Sequence, residues 1–120
     1  MAKYQIDAML DSALSYISTN ATELYVCTAE PTDRANAIAI SLIGAATPSF
    51  TGPVNGDTSG RKLTVDEEAS VAITGSGDAT HIALCSGTTL LYVTTCTTQT
   101  LASGGTVTVP LWDIEIADAV

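Results

Sequence analysis

The side chains able to do chemistry are few. His81 is the single histidine, and Cys85 follows it four residues later within THIALC. A Cys–His pair suits nucleophilic catalysis, because the imidazole can take the thiol proton. The segment reads as a strand, however, and residues i and i+4 of a strand stand roughly 13 Å apart. The two cannot touch within the strand, and no third residue is identifiable to orient the histidine. His81 therefore reads as a structural or interface residue. Cys27 and Cys96 complete the set of thiols. No C-x-x-C pair exists among the three, so a zinc site lacks its ligand spacing. Two acidic clusters, Asp66-Glu67-Glu68 and Asp113/Glu115/Asp118, offer oxygen ligands. Calcium needs such oxygens to converge, and no D-x-D-x-D-G loop is present. The clusters read as solvated turns and charge-protected strand edges. Ser103-Gly104-Gly105 is a turn signal and matches neither phosphate-binding glycine pattern. Trp112 and Tyr92 read as core or rim packing. Nothing assembles a nucleophile, a base and oxyanion donors. The expectation is a non-enzymatic protein with no catalytic residue, no cofactor and no metal.

The elements that would position these residues are mainly strands. Tyr4 to Thr19 is the one helical stretch, with Ile6, Met9, Leu10, Ala13, Leu14 and Ile17 at three- and four-residue spacing. Asp7 and Asp11 lie in its N-terminal half, where the helix dipole favours anions, and Asn20 can close it in the left-handed conformation. Glu23 to Thr28 alternates Leu24 and Val26 against Tyr25 and Cys27 and is stopped by Glu30-Pro31. Thr32 to Phe50 fits a strand or a helix, since AIAISL alternates while DRANAIAISLIGAA is rich in alanine. Pro48 to Gly60 reads as a long loop with two prolines and three glycines, a length that often marks a functional segment. Beyond it, strands are expected at Lys62 to Val65, Ala69 to Thr74, Thr80 to Cys85, Thr89 to Thr95 and Thr106 to Ile116. In the last of these, Trp112, Ile114 and Ile116 share one face and Asp113 and Glu115 the other. No internal repeat or linker divides the chain. The fold class is mainly β: an antiparallel β-sandwich or barrel-like meander with one N-terminal amphipathic helix, in a single domain over residues 1–120.

Charge narrows the partners. Thirteen acidic residues against four basic ones give −9 over 120 residues, which disfavours phosphate backbones and anionic membrane surfaces. The only adjacent basic pair is Arg61-Lys62. Only 14% of residues are charged, a low share for a surface facing water on all sides; the plain reading is a threonine-rich β-protein, and the functional one is a surface that packs on neighbours. No secretory leader or membrane span is read, so synthesis in the cytosol is expected. The loop supplies the expected partner contact through Phe50, Pro53, Val54 and Asn55. Cys27 and Cys85 fall mid-strand, where a buried thiol is the default. Cys96 sits at a strand end among Thr94, Thr95, Thr97, Thr98 and Thr100. There it is expected to be exposed and open to an intermolecular disulfide, with a free thiol or an intrachain pair with Cys85 as the alternatives.

Several phrases, in order, resemble a family of small structural proteins of tailed-bacteriophage virions. They are Leu24-Tyr25-Val26-Cys27-Thr28-Ala29-Glu30-Pro31-Thr32, Gly60-Arg61-Lys62, Gly77-Asp78-Ala79-Thr80-His81-Ile82-Ala83-Leu84, and an ending built on Gln99, Ser103-Gly104 and Pro110-Leu111-Trp112-Asp113-Ile114-Glu115-Ile116. Thr32 to Gly60 matches least. The resemblance implies a capsid decoration, cement or minor capsid protein that bridges shell subunits, with the major capsid protein or other virion proteins as partners. It also implies a homo-oligomer and a place in the virion after assembly in the host cytoplasm. A neck or tail component is the nearest alternative, and a carbohydrate- or receptor-binding β-module the next.

Overall fold

The computed structural model describes residues 6–57 and 59–116; Tyr4 at the expected helix start and Asp118 of the second acidic cluster lie outside the described residues. Helix α1 (Asp7–Asn20) leads to strand β1 (Glu23–Cys27) and a short helix α2 (Arg34–Ala39). Strands β2 (Phe50–Asn55), β3 (Arg61–Val65), β4 (Glu68–Ala72), β5 (Gly77–Cys85), β6 (Leu90–Leu101), β7 (Thr106–Val109) and β8 (Trp112–Ile116) follow. They form three antiparallel sheets in the orders β1-β5-β6, β2-β3-β8 and β4-β7. The mainly β, antiparallel architecture read from the sequence is the one observed.

Period-two alternation sends β1 and β5 to two separate cores. Leu24 and Val26, with Ile82 and Leu84, face a large core that also takes Leu14 of α1, Leu63 and Val65 of β3, Val109 of β7 and Ile114 of β8. The opposite face carries Tyr25, Cys27, Ala83 and Cys85, and α2 covers it with Ala37. This sheet is thus buried on both faces, which is why GDATHIALC mixes apolar residues onto both of its sides. The dimensions are 54 × 26 × 22 Å with a radius of gyration of 15.4 Å, longer than the roughly 14 Å of a compact chain this size. Among the described residues no helix is long and apolar enough to cross a membrane.

Several expectations are corrected. The proposed loop from Pro48 to Gly60 contains strand β2, paired with β3 from Phe50↔Val65 to Asn55↔Arg61. Its register shifts between Thr51 and Val54, around Pro53, which lacks an N–H for the ladder. The ambiguous stretch yields α2, capped by Asp33, whose Oδ1 accepts from Asn36 N at 2.7 Å. The expected single strand Thr106 to Ile116 is two strands in different sheets, broken at Pro110-Leu111. Asn20 remains helical and Ala21 leaves in extended conformation, so α1 has no left-handed cap. Only half of its apolar stripe is used: Leu10 and Leu14 are buried, while Ile6, Met9 and Ala13 are exposed.

Candidate functional site

The histidine and two of the three thiols occupy one layer. The register pairs Cys27 with His81 and Glu23 with Cys85, which puts all three chemically active side chains on the α2-covered face. His81 Nδ1 shares a 2.8 Å hydrogen bond with its neighbour Thr80 Oγ1. Cys27 and Cys85 are fully buried and free. Burial pushes the Cys27 thiol up to about 11, reinforced by nearby Cys85. Burial also raises Cys85, with the Glu23 carboxylate adding to the effect. A raised thiol is the reverse of an activated nucleophile. The layer is structural: Cys27 Sγ lies 3.7 Å from Ala37 O and donates to it.

This layer has a consequence for pH. The folded thiol of Cys27 ionises near 11, whereas the unfolded one ionises near its ordinary value of 9.0. Below that value the residue contributes no pH dependence; between the two, only the unfolded state loses its proton, so stability falls as pH rises. Denaturant titrations across this window should give a shallower fall for Cys27→Ala than for the unaltered chain. Identical slopes would show that the buried thiol is not the group responsible.

Ion pairs join the elements around the β2–β3 hairpin. Arg61 Nε donates to Asp11 Oδ1 of α1 at 2.7 Å, its Nη1 to Asn55 Oδ1 at 2.7 Å and its Nη2 to Pro53 O at 3.3 Å. One guanidinium thus fastens helix and hairpin together, and the fork geometry suits this task. Hydrogen bonding to Asp11 raises Arg61 further above its ordinary value. Lys62 Nζ donates to Asp57 at 2.7 Å and to Asp113 at 3.5 Å. Thr64 Oγ1 donates to Asp113 at 2.8 Å, and Asp57 N donates to Glu115 Oε1 at 2.8 Å. Oxygens of Asp57, Asp113 and Glu115 lie within 4.8 Å of one another. The Lys62 ammonium supplies their counter-charge, so the cluster is an internal salt network. Its Asp57 component is invisible in the sequence, because only hairpin closure brings it to β8. The alternation of Asp113 and Glu115 opposite Thr64 and Lys62 is the signal that could have found the rest.

Arg34 holds Glu23 with two 2.9 Å hydrogen bonds, tying α2 to β1. That pairing is the main cause of the lowered Glu23 carboxyl. Among the described residues, then, Arg34, Arg61 and Lys62 are all engaged in ion pairs within the chain.

The residues expected to meet a partner are placed unevenly. Phe50 is half-buried and packs on the large core, and Pro53 is half-buried beside Arg61. Val54 is 45% exposed, and Asn55 is exposed with its side chain held by Arg61. The reading of Cys96 is corrected: it lies inside β6, half-buried and packed on the large core. Burial raises its thiol. The run of threonines around it hides a strand that continues to Leu101. The register sets Cys85 against Leu90, which removes an intrachain Cys85–Cys96 pair. Cys96 instead joins two adjoining open cavities of about 190 and 300 Å³. They form a groove between β6 and the Val107–Trp112 segment, whose rim includes Leu111 at 60% exposure. Trp112 packs on the core from the groove's wall, and its buried Nε1 finds no hydrogen-bond partner among the described residues. Comparison with family models, with curated proteins and with solved structures finds no match to this chain.

Proposed function

We propose that the chain is a non-enzymatic structural protein of a tailed-bacteriophage virion, a capsid decoration, cement or minor capsid protein that bridges shell subunits. The observation that carries this reading is the ordered set of family-like phrases. Those phrases fall on the framework: Leu24 to Thr32 covers β1 and its exit, Gly60 to Lys62 opens β3, Gly77 to Leu84 is most of β5, and Pro110 to Ile116 contains β8. The least similar stretch, Thr32 to Gly60, supplies α2, which covers one face of the β1-β5-β6 sheet, and β2, an edge strand of its sheet.

The surface supports a protein partner. The described cations are spent on internal pairs, leaving an acidic exterior that repels packaged or released nucleic acid. Exposed apolar side chains at Ile6, Met9, Tyr16, Val54 and Leu111 offer contact area to protein neighbours. A body 54 Å long and about half as wide reaches between adjacent subunits. Many lattice copies sum modest contacts into a large stabilisation. Purified protein added to capsids that lack it should bind saturably and raise their resistance to heat. Shells that take up no protein would count against the proposal.

A further inference from the structure

We propose that Asn55-Gly56 is a deamidation site, held shut by the closed β2–β3 hairpin and released when that hairpin opens. The chain has three asparagines; Asn20 and Asn36 each precede an alanine, and Asn55 alone precedes a glycine. Glycine in second place favours the reaction, because it puts no side chain in the path of the attacking main-chain nitrogen and leaves the backbone free to turn. Asn55 is exposed at the end of β2, so solvent reaches its amide.

The step needs only water and base. Solvent base takes the proton of Gly56 N, and that nitrogen attacks Asn55 Cγ. A Gly56 N–Asn55 Cγ bond forms, the Asn55 Cγ–Nδ2 bond breaks, and Nδ2 takes a proton from water and leaves as ammonia. Water then opens the five-membered imide. Opening at Cγ restores the normal chain with aspartate in place of asparagine. Opening at the main-chain carbonyl routes the chain through the former side chain. No electrons are gained or lost; the sum is amide plus water to carboxylic acid plus ammonia.

Two hydrogen bonds oppose ring closure. The Gly56 N–H that must lose its proton donates to Gly60 O at 2.9 Å. The Asn55 side chain that must swing onto Gly56 N is held through Oδ1 by Arg61 Nη1 at 2.7 Å. Arg61 is itself anchored to Asp11 of α1 and pairs with Asn55 in the β2–β3 register. Both atoms come free together only when the hairpin opens, so the rate follows the population of the open state. The two products differ in what they leave behind. Normal aspartate keeps an oxygen acceptor for Arg61 and adds one negative charge. The rerouted chain carries an extra main-chain methylene, which breaks the Asn55↔Arg61 pairing and loosens the clamp between α1 and the hairpin.

Peptide mass mapping of the chain during incubation in mildly alkaline buffer tests this, independently of any role in a virion. In urea, Asn55 should convert faster than Asn20 and Asn36. In the folded chain, its conversion should be slower than in urea by about tenfold or more. Arg61→Ala, folded by circular dichroism, should speed the folded-state reaction about three- to tenfold, the factor one such hydrogen bond is worth. Arg61→Lys, which keeps the charge but loses the fork, should shift the rate in the same direction and serves if the alanine variant does not fold. Equal rates with and without urea would overturn the proposal. So would an Asn55 no faster than Asn20 and Asn36 in urea, or Arg61 variants that react at the unaltered rate or more slowly.

Discussion

Leu63→Ala should lower the unfolding free energy by about 2–5 kcal/mol, the usual range for deleting a buried leucine side chain. Leu63 is fully buried in β3, the middle strand of its sheet. It packs in the core shared by all three sheets and α1. Flanking strands hold β3 in register on both edges, from Phe50↔Val65 on one side to Val65↔Trp112 on the other. The backbone cannot collapse into the space left behind, so the cost belongs in the upper part of that range. Domains of this kind have about 5–15 kcal/mol in total, and the midpoint of thermal unfolding should drop by roughly 10–20 °C. Ile38→Ala, at a side chain 45% exposed on α2, should change stability by less than about 0.5 kcal/mol. Equal effects for the two would mean that the core is not where the structure puts it.

Gly56→Ala should cost about 1–3 kcal/mol through the backbone. A Cβ at Gly56 would stand 2.2 Å from Ser59 O, a main-chain atom that no side-chain rotation can clear. The hairpin must therefore open. Opening breaks the 2.9 Å bond from Gly56 N to Gly60 O and displaces Asp57, which bonds Glu115 and Lys62. The substitution thus couples a turn to the salt network on β8. Chemical denaturation measures the loss, and an unchanged midpoint would contradict the tight closure of this turn.

Much of this fold was legible because its signals are local. The alternation of Leu24 and Val26 against Tyr25 and Cys27, and of Ile82 and Leu84 against Ala83 and Cys85, reads directly as strands. The turn at Ser103-Gly104-Gly105 stands where expected. What was missed had weak or misleading local signals. The Pro/Gly content of β2 hides a strand whose irregular register accommodates those residues. The expected strand ends at Thr95, with the threonines beyond it read as an exposed strand end, although threonine is a strong strand former and an edge strand can be polar on both faces; β6 runs on to Leu101. Pro110 leaves the period of two intact on both sides, so the switch from one sheet to another leaves no trace in the pattern. The hairpin network is legible only in halves: Asp113 and Glu115 announce a charged face, while Asp57 reaches it through tertiary closure.

The proposed role in a virion rests on phrases that coincide with the frame of the fold, and the acidic, partly apolar exterior accords with it. Copy number distinguishes a shell component from a neck or tail component, because lattice positions are many and axial positions few. Quantitative mass spectrometry of purified virions is the direct measurement. The account predicts a copy number commensurate with the capsid lattice; absence of the chain from mature particles would contradict it.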